Sequence, residues 1–195
     1  MKHQPFEFGT FFHIFNRGNN HENIFNEPDN YYYFLSLAVK YINEVAEIYS
    51  YCLLPNHFHF ALRIKDLKDQ TESVRVGKKG IHQAFSNCFN AYAKAFNKKY
   101  SRKGSLFQEH LKRVLIKEEH YLQNIIIYIN TNPLHHGLAN YTDYDYSSYK
   151  SLVTTKSTHI KREEVLDMFG GLENFIYILN NKKQNIDIRD SLLLE

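Results

Sequence analysis

The chain predicts an α+β fold, an antiparallel sheet with helices packed on one side of it. Three observations carry this reading. The run His57-Phe58-His59-Phe60-Ala61-Leu62 has a period of two and follows a Pro55-Asn56 turn. Two later segments repeat apolar residues at helical spacing, and strand and helix patterns alternate along the chain without an internal repeat. Taken in order, Thr10 to Phe15 reads as a strand, and Asp29 to Val45 as a helix capped by Asp29 or Asn30 after Pro28. Glu47 to Leu54 and His57 to Ile64 form paired antiparallel strands. Asp66 to Gly80 is a polar loop, and its Gly77 and Gly80 are too sparse for a phosphate-binding loop. Ile81 to Tyr100 is a helix with Phe85, Cys88 or Phe89, Tyr92 and Phe96 on one face, and Leu106 to Ile116 supplies another strand. Two short helix patterns, Arg162 to Phe169 and Leu172 to Leu179, flank Gly170-Gly171.

With 195 residues and 43% hydrophobic residues, the chain suits one globular domain, or one with an extension. We divide it into a main domain over 1–150 and a linker with helical extension over 151–195. No apolar run approaches the roughly 20 residues of a membrane span. Residues Met1 to Phe8 lack the apolar stretch of a secretory signal, so a cytoplasmic protein without membrane contact is expected. Cys52 and Cys88 are expected to be reduced thiols.

The histidines matter most. On a strand His57 and His59 share a face, while Phe58, Phe60 and Leu62 take the other, so two imidazoles can hold one metal ion between them. Some seventy residues on, Tyr121 to Pro133 reads as a helix with Leu122, Ile125, Ile126 and Ile129 facing the core. Tyr121, Asn124, Tyr128 and Asn132 form an adjacent stripe. Tyr128 and Asn132, four residues apart, bring a phenol and a carboxamide side by side close to the helix end at Pro133. A nucleophile and an oxygen ligand can thus share one small site.

These motifs resemble the HUH-superfamily single-tyrosine transposases, and within them the REP-associated, IS200-like group. Leu54 to Phe60 is similar to the histidine motif, and Tyr128 to Pro133 to the tyrosine motif. Three further stretches match in order: His13 to Gly18, Tyr92 to Tyr100 running into Gly104 to Gln108, and Tyr146 to Tyr149. The resemblance covers about residues 8 to 150. It implies a ferredoxin-like sandwich and single-stranded DNA, often beside a hairpin, as the substrate. It further implies a 5′-phosphotyrosine on Tyr128 with a free 3′-hydroxyl, and Mg²⁺ or Mn²⁺ held by His57, His59 and the Asn132 side-chain oxygen. Asn132 stands where some relatives carry glutamine, and Asn130, Asn124 and Gln123 are lower-ranked substitutes.

Net charge is only +3, but eight Lys or Arg between Lys94 and Lys117 face the single acid Glu109. A basic block of this kind suits a phosphate backbone, since neutralising phosphates releases counterions. Lys98, Lys99, Arg102, Lys103, Lys112 and Arg113, with Lys78, Lys79 and Arg17, are the DNA-binding candidates. Each role has an ordinary competitor. Tyr128 could merely flank the core, with Tyr121 the rival nucleophile; Arg17 and Asn16 could simply end a strand; His13 could be a sheet histidine or support a ligand from behind; His135 and His136 read as turn or substrate-contact residues. At the level of the whole protein, a domesticated, non-catalytic DNA or RNA hairpin-binding protein is the main alternative. A zinc hydrolase would need a further ligand and a general base, and the sequence offers no convincing set. Monomer and homodimer both remain open.

Overall fold

The structure, a computed structural model, describes residues 5–69 and 80–182. Lys78, Lys79 and most of the predicted 66–80 loop lie outside these residues. The described chain runs β1 (Phe11–Arg17), α1 (Pro28–Leu37), β2 (Ala46–Leu54), β3 (His57–Ile64), α2 (Gly80–Lys99), β4 (Lys112–Ile116) and α3 (Glu119–His135). Three shorter helices follow: α4 (Tyr149–Val153), α5 (Arg162–Met168) and α6 (Leu172–Lys182). The strands form one antiparallel sheet in the order β2-β3-β1-β4. That order, with helices crossing after β1 and β3, is the ferredoxin-like plan.

Alternation along the strands decides what each face does. Phe12, Ile14, Phe58, Phe60 and Leu62 share one face and are fully buried. Both crossover helices pack there: Phe34 of α1 and Phe89 of α2 meet the Phe58 ring at 5.1 and 5.4 Å between centroids. His13, Phe15, His57 and His59 lie on the opposite face, and α3 covers it. Helices therefore clothe both faces, where the sequence pattern suggested one. An alternating strand with aromatics on one side and histidines on the other has no solvated face once α3 is in place, and all but Arg63 of β3 is buried.

Local chemistry sets the ends of the elements. Pro28 takes the first helical position of α1 with Glu27 as the cap, so the helix starts just before the predicted Asp29 or Asn30 cap. Asn30 instead accepts hydrogen bonds from the Asn26 N–H and the Tyr100 hydroxyl, at 2.9 Å each. A π-helical turn, Ala38–Ile42, continues the helix, which ends three residues before the predicted Val45. β4 is shorter than the predicted Leu106 to Ile116. Phe107 pairs with Gly18 as an isolated bridge, but His110 adopts a positive φ of 69° and turns the chain before the continuous strand begins.

The outer edge of β2 is covered rather than left to solvent. Leu53 N–H donates to the Tyr146 carbonyl, Ser148 N–H to Tyr51 and Lys161 N–H to Ile48, each at 2.9 Å. The Tyr146 to Tyr149 stretch is thus an edge cover for the sheet. Beneath it, Asn130 of α3 donates to Ser50 Oγ at 3.0 Å and accepts from Ser148 Oγ at 2.8 Å. Ser50 and Ser148 hydroxyls meet at 3.0 Å, all three side chains being fully buried. The three C-terminal helices add Leu152, Val165, Phe175 and Leu179 to the core. Cys52 and Cys88 are free thiols in that core, and burial pushes the Cys88 thiol up to about 12. Among the described residues, no helix is long and apolar enough to cross a membrane.

Candidate active site

His57 and His59 open β3 immediately after the Pro55-Asn56 turn, with their rings 5.1 Å apart and nearly perpendicular. His57 Nδ1 lies 2.7 Å from Asn56 Oδ1. An amide oxygen only accepts, so this contact puts the His57 proton on Nδ1 and its lone pair on Nε2 in the neutral ring. A metal-ligating histidine is commonly oriented in this way. His59 Nδ1 lies 3.0 Å from His13 Nε2 on the neighbouring strand, both side chains being almost wholly buried. His13 is in turn stacked on Phe15 at 4.9 Å. His13 is thus a buried sheet histidine whose partner is His59.

α3 presents the tyrosine. The Tyr128 ring stands edge-on to His59 at 5.6 Å and to His13 at 6.4 Å, and it remains partly open to solvent. Pro133 lies inside the last turn of α3, which runs on to His135, so it is not the stop that the sequence suggested. In the last turn a proline forfeits one hydrogen bond without disrupting the helix body, and the His136 N–H still reaches the Asn132 carbonyl at 3.0 Å. This extension carries His136 onto His57, ring to ring at 4.8 Å. It also places His135 Nε2 within 3.1 Å of Thr131 Oγ1.

A pocket of about 20 Å³, enough for a water or an ion, is lined by His57, His59, Phe15, Asn16, Arg17, Gln108 and Lys112. Arg17 is the register partner of His57, and the Asn16 side-chain oxygen holds the Arg17 N–H at 2.8 Å. The buried Arg17 Nε has no hydrogen-bond partner among the described residues. Asn132 does not line this pocket. It is fully buried, and neither Oδ1 nor Nδ2 has a hydrogen-bond partner among the described residues. A buried carboxamide left in that state costs ~1–3 kcal/mol unless something binds it. Among the described residues, no three His, Cys, Asp or Glu side chains are grouped to hold a metal. Two imidazoles are of a type to hold a divalent cation whose remaining positions are filled by water or phosphate, and the partnerless Asn132 carboxamide lies one helical turn beyond Tyr128 on α3.

The basic candidates separate into groups. Lys112 lies over the Phe15 ring at 5.7 Å beside the histidines, and Arg113 over the Phe6 ring at 4.4 Å on the other face of the sheet. Lys99 is paired with Glu27, and Arg102 Nε donates to Glu22 at 2.7 Å, so both brace the end of α2 against the chain before α1. Lys98 and Lys103 are exposed at that end. Two residues inside the matched stretches carry roles that the sequence did not assign: Asn56, which orients His57, and Gln108, which lines the pocket while its N–H pairs with the Arg17 carbonyl at 2.9 Å. Asn56 sits next to His57 in a turn, a position from which a short side chain can reach its neighbour. Gln108 lies 91 residues from Arg17, and its one sequence signal is its place at the end of the Gly104 to Gln108 stretch.

A ferredoxin-like sheet thus carries a histidine pair on one strand, faced by a tyrosine from a covering helix. No protein-family model matches the chain. In sequence it is similar to a REP-associated tyrosine transposase of Haemophilus influenzae, 27% identical over 130 residues that span 58% of this chain and 72% of that one. In fold it is similar to a REP-associated tyrosine transposase solved bound to a REP hairpin, with a TM-score of 0.57 and 18% identity over 78% of this chain and 86% of that one. A yeast (Saccharomyces cerevisiae) tRNA(His) guanylyltransferase aligns more loosely, at a TM-score of 0.45 and 14% identity over 97% of this chain and 81% of that one. The resemblance carried by the motifs is thus to the same kind of protein, a REP-associated tyrosine transposase, that both comparisons return.

Proposed function

We propose that this protein is a transposase-like enzyme that nicks and rejoins single-stranded DNA beside a hairpin, using Tyr128 as the nucleophile. The observation that carries the reading is the Tyr128 ring held edge-on to His59, on the sheet face that His57 also occupies. The relative of similar fold, bound to a REP hairpin, supports a DNA hairpin as the partner. In this reading the Tyr128 oxygen attacks the scissile phosphorus and gives up its proton as the new P–O bond forms. The bond to the 3′ oxygen breaks, and that oxygen leaves as a hydroxyl. Because the phosphoryl group stays bonded to the phenol, a DNA hydroxyl can later attack it and restore a phosphodiester without outside energy. Arg17 and Lys112, beside the histidines, would hold the phosphate in place.

His57 and His59, with the Asn132 oxygen as the third donor, are the residues that would hold Mg²⁺ or Mn²⁺. Such a cation draws charge from the phosphate and steadies the departing oxygen. Asn56 and His13 fix the two imidazoles from behind. His13→Leu is therefore expected to weaken Mn²⁺ binding by roughly 10–100-fold, the usual cost of losing a partner behind a metal ligand. His13→Gln, which keeps a polar partner for His59, recovers part of that loss. Calorimetric titration with Mn²⁺, run beside thermal melts of both variants, checks this; equal loss in both would mean that His13 serves packing alone.

The central test mixes the protein with labelled single-stranded DNAs that contain hairpins, in Mg²⁺ or Mn²⁺, and resolves the products on a denaturing gel. A metal-dependent band of protein joined to DNA is the expected result. Tight hairpin binding without that band, across substrates and metals, would replace the enzyme with a non-catalytic hairpin-binding protein.

A further inference from the structure

The small pocket beside the histidines has a charge balance unlike that of most cation sites. Arg17 and Lys112 line it together with His57 and His59, and among the described residues no Asp or Glu does. Glu109, the acid nearest to Lys112 in the chain, has its side chain 90% exposed beside His110. Among the described residues Arg17 has no carboxylate partner, and its buried Nε has no hydrogen-bond partner. The donors proposed for a metal, two imidazoles and the Asn132 carboxamide, are all neutral. A divalent cation on these donors would therefore meet two positive side chains and no protein anion to offset its charge.

Sites for hard divalent cations usually carry carboxylates, which neutralise the ion as they bind it. Here the chain supplies donors and withholds the anions. A phosphate can do what the missing carboxylates would do, because it offers oxygen to a cation and negative charge to a guanidinium, whose fork suits phosphate oxygens. Each guest then improves the place of the other, and such coupling is reciprocal. Arg17 is the residue placed to set its size. It is the register partner of His57 across β1 and β3, and the Asn16 side-chain oxygen holds its N–H at 2.8 Å, which fixes its backbone beside the histidine pair. A half-buried guanidinium is also screened less by salt than an exposed one.

We propose that Arg17 is a charge gate for the metal: it holds down the affinity of the free protein for Mg²⁺ or Mn²⁺, and it releases that hold when a DNA phosphate enters, so that ion and strand load together. This rests on the metal and DNA parts of the proposed function and not on the covalent chemistry. The test follows the electron paramagnetic resonance signal of free Mn²⁺ in titrations of Tyr128→Phe protein, in which no adduct forms. The protein is titrated alone, with a single-stranded DNA that contains a hairpin, and with the same DNA carrying neutral methylphosphonate linkages in its unpaired part. The ordinary DNA is expected to tighten Mn²⁺ binding about tenfold, within the usual range of coupling between sites, and the neutral DNA to change it by less than about twofold. Arg17→Met and Arg17→Gln, each added to Tyr128→Phe, remove the charge. Both should bind Mn²⁺ about tenfold more tightly without DNA and lose most of the gain that DNA brings, while Arg17→Lys should behave like the parent. Damage to the fold would lower Mn²⁺ affinity, the opposite of the expected gain. Unchanged or weaker Mn²⁺ binding in both neutral variants, or equal tightening by the two DNAs, would overturn the gate. A missing covalent band in the wild-type protein with the coupling intact would sink the nicking chemistry and leave the gate standing; a parent protein that binds no Mn²⁺ with or without DNA would overturn both the metal site and the gate.

Discussion

Tyr128→Phe is expected to abolish the covalent protein–DNA band while the protein stays folded and binds hairpin DNA within about twofold of wild type. The substitution removes one oxygen. The ring and its edge contacts with His59 and His13 remain, and the position is partly exposed. Only the nucleophile is lost, and losses of that kind lower turnover by roughly 10³-fold or more. Tyr121→Phe is the matched control. Tyr121 is also partly exposed on α3, seven residues earlier, so its variant should retain the full band. Retention of the band in Tyr128→Phe with its loss in Tyr121→Phe would transfer the role to Tyr121. Loss in neither would remove both tyrosines of α3 as the nucleophile.

Phe58→Ala should produce the largest loss of stability from a single substitution near the site. Its side chain is fully buried and meets Phe34, Phe60, Phe89 and Phe107, at centroid distances between 5.1 and 6.0 Å. Those partners come from α1, β3 itself, α2 and the segment before β4, so a cavity there loosens the whole crossover layer. Truncating a core phenylalanine costs about 3–5 kcal/mol, a large part of the ~5–15 kcal/mol that holds a domain folded. Urea denaturation should show the midpoint falling with the slope unchanged. A loss below about 1 kcal/mol would mean that the aromatic layer collapses to fill the gap.

What could be read from the sequence is what depends on neighbours along the chain. The alternation in His57 to Ile64 gives the strand with its observed ends and assigns each side chain to its face, because a period of two admits no other arrangement. The stripe at Leu122, Ile125, Ile126 and Ile129 locates the buried side of α3, and all four residues are buried. What the sequence withholds is set by encounters between distant segments. Nothing local tells which face of the sheet α3 covers. The contact of His13 with His59 spans 46 residues, and the pairing of Arg102 with Glu22 spans 80. Charge counting groups Lys99 and Arg102 with Lys112, yet the folded chain ties the first two to acids and brings the third beside the histidines.

The buried triangle of Asn130, Ser50 and Ser148 bears on how the site can move. Asn130 is two residues from Tyr128 and two from Asn132, so it acts as a detent on the same shaft. Turning α3 by one residue, about 100° of roll, would throw Tyr128 off the histidines, and it would first have to break every hydrogen bond that Asn130 makes across to β2 and the edge cover. The helix is thus a fixed mount. Under the proposed chemistry, any stroke that brings a DNA end to Tyr128 and later takes it away would fall to the Tyr128 side chain and to the strand itself.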